Sequence, residues 1–560
     1  MSSQPSRVSA LPDDGRGGWY RSLEAGVDEH SGVVAVAILV LGFCWRLWLA
    51  HATFFNTDEA WHYSVANQSS LHAAYKASLT LAHPPLMIFV LYFWRHPGTS
   101  DLMLRLPGVL AGTAFCWIFY RWLALLFGRT VALCGLAFAA LLPPMIALSA
   151  ELRQYSWLLF FAAAAAYFLE RALGRNSAAL MLCSSVCLWL SMLSHYSAFL
   201  FAASMGLYVV LRMIWQRPST SVIASSVIVS WGFGQAVGVA LGAFLYITQV
   251  AKLGAVYPGD PLRRFGDFYL ADVYFHSAKD HVLPFLYRGT FGVFRFICGQ
   301  RTAGHLTTVL FLAGIVLLLR QKNNVGPIRP RIAALLLTLP FLVNWVAVLT
   351  GLYPYGRTRQ CIFLAIFGFA GVSVCLARIA RDRAGLGIAL AVGIVAICHI
   401  FGTPHSQDML AFAEQRHEHM DQAIAFIETH VSQADVLFTD KPTSFQITHY
   451  LCGSTPVSIE QKAGFDSFSC RGLRVIATNL SDGSLTPQTF PGKLQEMQRA
   501  YNLSPATGVW VVQAAWSTGL GETLRTQPEF SAIQPHVFDR YIEIFQMPPQ
   551  PSPTASAPAS

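Results

Sequence analysis

The sequence predicts a polytopic α-helical membrane protein with a soluble α/β domain at its C-terminal end. Three observations lead there. Apolar residues make up 54% of the 560 positions and charged residues only 12%, too little polar surface to cover that much hydrocarbon in water. About eleven apolar runs approach the roughly 20 residues that a helix needs to cross a bilayer. After about residue 403 the composition changes to short apolar runs alternating with helical periodicity, the pattern of a layered sheet domain.

The first 32 residues are polar and rich in Ser, Gly and Pro, and lack the basic-then-apolar order of a cleaved leader. They are expected to form a cytoplasmic tail, followed by a membrane domain over 33–402. The spans are expected near 33–50, 106–126, 130–148, 152–170, 177–194, 197–214, 222–248, 305–319, 332–350, 360–377 and 385–402. With the N-terminus inside, the inner loops collect Arg121 and Arg129, Arg171 and Arg175, Arg212 and Arg217, Arg320 to Arg331, and Arg378 to Arg383. That alternation follows the positive-inside rule. The net charge of +9 is therefore an orientation signal, and nucleic acid is not an expected partner.

Residues 51–105, 249–304, 351–359 and everything after about 403 then face outward. "HPPLMIFVLYFW" (83–94) is too short to cross. Counting it as a span would invert every later loop, so it is expected to lie in the outer interface. The outer domain, 403–547, takes "ADVLFTD", "RVIATN" and "VWVVQAAW" as buried strands and "MDQAIAFIETHVSQ" and "GKLQEMQRAYNLS" as helices. Cys452 and Cys470 fall in it, a pair that an oxidising compartment could join. Residues 548–560 are low-complexity and expected to be disordered.

The polar groups that spans and caps leave unexplained gather at outer ends. Asn56 and Glu59 have the spacing of a helix-capping box, which accounts for acids in a first turn. Yet the pair Asp58–Glu59 sits only about eight residues past the first span, where carboxylates are costly unless they bind something. "AHPPLM" makes a rigid entry to the interfacial helix and leaves His83 unexplained. "SAELRQYSW" places Glu151, Arg153 and Tyr155 at the start of the fourth span, with Glu151 and Arg153 too close in sequence to face each other. Arg357 and Arg359 in "GLYPYGRTRQ" violate the positive-inside rule in a short outer loop, and paired guanidiniums suit a phosphate. The outer loop 249–304 mixes Lys252, Arg263, Arg264, Lys279, Arg288, Arg295 and Arg301 with aromatics, as a segment covering a lipid-linked substrate would.

"TDEAWHYSVA", "HPPL", "RLPGVLAG", "ELRQYSWLLFF" and "YGRTRQCIFL", in this order over about 30–405, resemble the polyprenol-phosphate-sugar-dependent glycosyltransferases of superfamily C, in the branch of the protein O-mannosyltransferases and lipid A aminoarabinose transferases. The resemblance implies an active site at the outer face of a bacterial inner membrane, two interfacial helices after the first span that match 57–70 and 83–95, and Asp58 as the carboxylate at the acceptor. His83 stands where the aminoarabinose transferases carry Lys. The implied reaction moves a sugar from a polyprenyl-phosphate donor to a hydroxyl of a lipid, glycan or protein. Asp58 and Glu59 are the expected catalytic pair, with Asp58 as base or acceptor ligand. His83, Glu151, Arg153, Tyr155, Arg357 and Arg359 are the expected substrate and phosphate ligands. A divalent cation is optional, with Asp58 and Glu151 as its candidate ligands. A single carboxylate suffices for direct attack with inversion. The rival class is a transporter or flippase of a lipid-linked glycan, which would carry polar groups deep within its spans.

Overall fold

The computed structural model describes residues 24, 26, 29–215, 224–252, 270–322, 326–402, 415–453, 457–504, 506–514 and 519–548. The basic residues Arg7, Arg16, Arg21, Arg217, Arg263 and Arg264 and the tail beyond 548 lie outside the described residues.

Among the described residues eight helices are long and apolar enough to cross a membrane. They are α1 (Ser31–Ala52), α5 (Asp101–Phe127), α8 (Tyr155–Arg175), α10 (Ala198–Trp215), α11 (Ser225–Leu245, prolonged by a π-helical turn to Val250), α13 (Arg301–Arg320), α14 (Pro330–Leu349) and α16 (Ala384–Phe401). The expected spans at 177–194 and 360–377 correspond to shorter apolar helices, α9 (Ala178–Ser194) and α15 (Leu364–Ile379). The remaining one, 130–148, is a broken pair, α6 (Arg129–Leu141) and α7 (Pro143–Ala150), bent by 55°.

Two prolines cause that break, and a buried arginine repairs it. Pro143 and Pro144 have no N–H for the carbonyls of Ala139 and Ala140 four residues back. Arg46, on α1 and 1% exposed, donates to both, each at 2.7 Å. A guanidinium deep in an apolar bundle is thus bonded mainly to backbone oxygens.

Burial separates central from peripheral helices. All residues 130–141 of α6 and 364–377 of α15 are buried, so these two fill the middle of the bundle. Helix α11 instead turns Val229 and Val239 outward at 68% and 74% exposure, where a soluble helix would carry polar groups and a membrane helix meets lipid.

At one end of the bundle three short helices follow α1. α2 (Thr57–Ala66) and α3 (Leu71–Ser78) replace the single helix expected over 57–70, because the chain leaves α2 at Asn67 and restarts on a Ser70 cap. α4 (Leu86–Trp94) begins directly after Pro84 and Pro85. Within 249–304 the structure adds α12 (Val282–Cys298), which buries Phe285, Val293 and Phe294 and exposes Leu283 and Tyr287.

Among the described residues the C-terminal sheet has seven strands in the order β2-β3-β4-β1-β5-β7-β6. They are β1 (Val436–Thr439), β2 (Glu460–Lys462), β3 (Phe465–Cys470), β4 (Leu473–Thr478), β5 (Val509–Gln513), β6 (His536–Asp539) and β7 (Ile542–Gln546). The three expected strands are β1, β4 and β5, the parallel centre of the sheet. Strand alternation feeds two layers. Leu437 packs with Met420 and Ile427 of α17 (His417–His430), while Val436 and Phe438 pack with Leu494 and Met497 of α19 (Phe490–Ala500). A third helix, α18 (Lys441–Tyr450), lies against α2 of the membrane domain. Cys452 and Cys470 form a disulfide with Cα atoms 4.9 Å apart.

Candidate functional site

The capping box at the start of α2 is present in both directions. Glu59 N donates to Asn56 Oδ1 and Asn56 N to Glu59 Oε2, each at 3.0 Å. This cap divides the adjacent acids. Glu59 turns inward at 0% exposure and receives Arg105 Nε and Nη2, both at 2.7 Å, and the backbone N–H of Leu152 at 2.7 Å. Arg105 also donates to the carbonyls of Ala50, Thr53 and Phe54 where α1 ends. Glu59, expected beside Asp58 as a catalytic group, therefore ties α1, α2, α5 and the α7–α8 turn together, and its oxygens are occupied.

Asp58 faces the other way. Its Oδ2 lies 2.8 Å from Arg153 Nη1 and is also bonded to Arg359 Nη2. The three groups come from α2, from the turn between α7 and α8, and from the turn after α14. The side chains of Arg153 and Arg359 are 3% and 8% exposed, that of Asp58 16%. Burial alone would raise the Asp58 pKa, but the two guanidiniums and their hydrogen bonds outweigh it and hold the carboxyl well below the usual carboxylate range. Tyr155 lies beneath both cations, with its ring centre 5.7 Å from Arg153 Cζ and 5.6 Å from Arg359 Cζ.

Close packing sets the position of the arginine turn. Gly289 and Gly292 of α12 lie against it, and a Cβ on Gly292 would stand 2.8 Å from the backbone N of Arg357. A side chain at either glycine would push the turn away. Arg357 is half-buried in this turn.

Glu151 sits at 0% exposure between α7 and α8. Burial and then the nearby Glu59 carboxylate push its pKa up to about 8, against the opposing pull of Arg359 and Arg153. It is a protonated acid at neutral pH, unlike Asp58.

His83 belongs to a feature that spacing does not reveal, a row of imidazoles. His62 and His83 have ring centres 5.8 Å apart, and His83 stacks on His195 at 5.5 Å. Arg153 Nη2 lies 3.5 Å from His83 Nε2, which therefore accepts. His62 donates Nδ1–H to the backbone carbonyl of Asp58 at 2.6 Å. His195 Nδ1 accepts from the N–H of Ser197 at 3.2 Å. Burial first and the Arg153 charge next push His62 down to about 3. Burial likewise pushes His195 to about 3 and His83 well below its ordinary value. The row is neutral. His62 and His195 were not among the expected residues; the one signal for His62 is its place four positions after Asp58 on the same helix face.

Among the described residues no group of three or more His, Cys, Asp or Glu side chains could hold a metal ion. The carboxylate expected to ligate a cation already faces two guanidiniums, so no chemical step below runs through a metal.

A family model described as dolichyl-phosphate-mannose-protein mannosyltransferase matches residues 82–232, about a quarter of the chain. No curated protein sequence matches the chain significantly. Among solved structures, ArnT from Cupriavidus metallidurans bound to undecaprenyl phosphate superposes with a TM-score of 0.53 at 12% identity, covering 92% of this chain and 98% of that one. Its apo state gives the same TM-score and identity, with coverages of 93% and 98%. The chain has the GT-C fold. The Archaeoglobus fulgidus oligosaccharyltransferase in complex with Zn and sulfate is more distant, with a TM-score of 0.46 at 12% identity, covering 85% of this chain and 68% of that one.

Proposed function

We propose that this GT-C chain is a membrane glycosyltransferase that moves a sugar from a polyprenyl-phosphate donor to a hydroxyl acceptor at the outer face of the inner membrane, with inversion at the anomeric carbon. One observation carries the reading. Two buried guanidiniums, on turns about 200 residues apart in sequence, converge on one carboxylate at the end of a membrane bundle. That cradle suits an oxyanion, and a protein of the same fold is seen with undecaprenyl phosphate bound. The positive-inside count supports the outward orientation of this end.

The chemistry follows from the charges. The donor phosphate takes the faces of Arg153 and Arg359 that Asp58 occupies in its absence. The arginines then stabilise the negative charge that grows on the phosphate as the C1–O bond breaks. Asp58, released from its ion pairs, accepts the proton of the acceptor hydroxyl as its oxygen attacks C1 from the opposite side. A single displacement inverts C1. Glu151, protonated at neutral pH, is able to donate a hydrogen bond beside the phosphate. His83 and the row behind it line the cradle without adding charge.

Arg46, Glu170 and Arg212 lie buried in the spans, as a flippase pathway would require. They are committed elsewhere: Arg46 to carbonyls, and Arg212 to Glu170 at 2.5 Å with Tyr208 completing the group. The acceptor class is a lipid, glycan or protein hydroxyl. The test is a panel of polyprenyl-phosphate sugars given to the purified protein, with release of polyprenyl phosphate read by mass spectrometry. Transfer by wild type and its absence in Asp58→Asn are expected. Retained transfer in Asp58→Asn sinks the assignment of Asp58.

A further inference from the structure

The residues that fix Asp58 in space do not all belong to the membrane domain. The segment that carries it, 53–56, is gripped from the C-terminal sheet domain. Phe55 N donates to Tyr450 Oη at 2.6 Å, and Phe55 O accepts from Gln446 Nε2 at 2.9 Å. Both partners lie on α18. One residue earlier, Phe54 N donates to the carbonyl of Gln415 at 3.0 Å. The ring of His449 stacks on Phe55 at 4.6 Å, and Phe445 stacks on Trp61 of α2 at 5.6 Å.

Tyr450 is the centre of this grip. Its hydroxyl accepts from Phe55 and donates to Asp101 Oδ2 at 2.5 Å, so its proton and a lone pair are both used. Asp101, at the first position of α5, also accepts from His449 Nε2 at 2.7 Å. One hydroxyl thus joins the backbone three residues before Asp58, a membrane helix and the sheet domain.

We propose that Tyr450 is a positioning residue for sugar transfer, through which the C-terminal domain holds the backbone of Asp58 in register with Arg153 and Arg359. The inference rests on the transferase reading above. The arginines sit on other turns, so loss of the Tyr450 bond shifts the carboxylate and leaves the phosphate cradle in place. A displacement near 1 Å at a reacting group costs on the order of 10²-fold in rate.

The experiment uses the full chain in lipid nanodiscs. Tyr450→Phe is expected to lower kcat by roughly 10- to 100-fold, while donor KM and the Kd of short-chain polyprenyl phosphate stay within about twofold. Asp101→Asn, which weakens the acceptor of the Tyr450 proton and also loosens His449 and His417, should lower kcat in the same direction, and its effect should add less than fully to that of Tyr450→Phe because the Tyr450–Asp101 bond is common to both. Gln446→Leu is a second, independent cut at Phe55. A kcat within about twofold of wild type in folded Tyr450→Phe overturns the proposal, and so does a fall in kcat that only tracks the folded fraction. Hydrogen exchange across 54–58 gives a readout without turnover: faster exchange there, with the rest of the chain unchanged, is expected. If wild type transfers no sugar, the transferase reading fails, and unchanged exchange in Tyr450→Phe overturns the positioning role separately.

Discussion

Asp58→Asn should make the protein bind polyprenyl phosphate more tightly while abolishing transfer. In the ligand-free protein the carboxylate holds the same two guanidiniums that the donor phosphate needs, so phosphate has to displace it. A hydrogen bond to a charged group contributes about 1.5–3 kcal/mol. Screening takes little from this, because the side chains are 3%, 8% and 16% exposed. Asparagine keeps the shape and loses the charge. Removing the equivalent of one such bond from the competition lowers the Kd by roughly 10- to 150-fold, at about 1.4 kcal/mol per tenfold. The assay is titration of short-chain polyprenyl phosphate by calorimetry at two salt concentrations, with Arg153→Gln and Arg359→Gln as controls that should weaken binding. An Asp58→Asn variant that binds the phosphate no better than wild type would refute the exchange of anions at this cradle.

Glu59→Gln behaves differently from Asp58→Asn. It leaves Arg105 buried without its counterion, a loss of about 3–5 kcal/mol, so folded yield and thermal midpoint should fall rather than turnover alone. Arg46→Leu strands the carbonyls of Ala139 and Ala140, and at about 1–3 kcal/mol for each unsatisfied group the unfolding midpoint should drop markedly. The carboxyl of Glu151 is raised from an ordinary 4.5 to about 8, so the folded chain binds the extra proton between those values and its stability declines as pH rises through that window. Glu151→Gln removes the decline: its midpoint should gain on wild type from pH 5 to 8 and hold a constant lead above; a constant gap across pH 5–8 would contradict the raised pKa. With the three imidazoles held neutral, the transfer rate should show no break near pH 6.5, and a histidine-like inflection there would contradict the row's neutrality.

The membrane spans and the central strands were legible because long apolar runs and short buried strands each have one cheap interpretation. The break at Leu142 was not, since a proline pair after an apolar run reads equally as a loop between spans. The flanking strands β2, β3 and β6 were missed because "EQK", "FDSFSC" and "HVFD" carry little alternation, and their pairing partners supply the burial. In the site, position relative to the spans brought Asp58, Arg153, Tyr155, Arg359 and His83 into view. Spacing could not say that adjacent Asp58 and Glu59 diverge. Their side chains leave a helix about 100° apart, and the cap on Asn56 decides which one points at Arg105. His195 and Tyr450 became visible only in three dimensions, because His195 meets His83 and Tyr450 meets Phe55, the latter 395 residues away.

Burial alone does not separate structural arginines from functional ones, because Arg46, Arg105, Arg153 and Arg359 are all buried. What they bond does. Arg46 spends its donors mainly on carbonyls that two prolines leave open, and Arg105 closes both forks on Glu59 and the end of α1. Arg105 is complete without a ligand, and Arg46, although its Nε has no partner, is held by the carbonyls of a broken helix that need it. Arg153 and Arg359 instead share a single oxygen of a partly exposed carboxylate. Asp58 meets both guanidiniums with one oxygen and not with the paired oxygens that planar Arg favours. A phosphate, with three peripheral oxygens, can satisfy both at once. The same comparison predicts opposite outcomes for conservative replacement: Arg105→Lys loses the fork on Glu59 and destabilises the fold, whereas Arg153→Lys keeps the fold and weakens phosphate binding. Equal thermal loss in the two variants would remove the distinction.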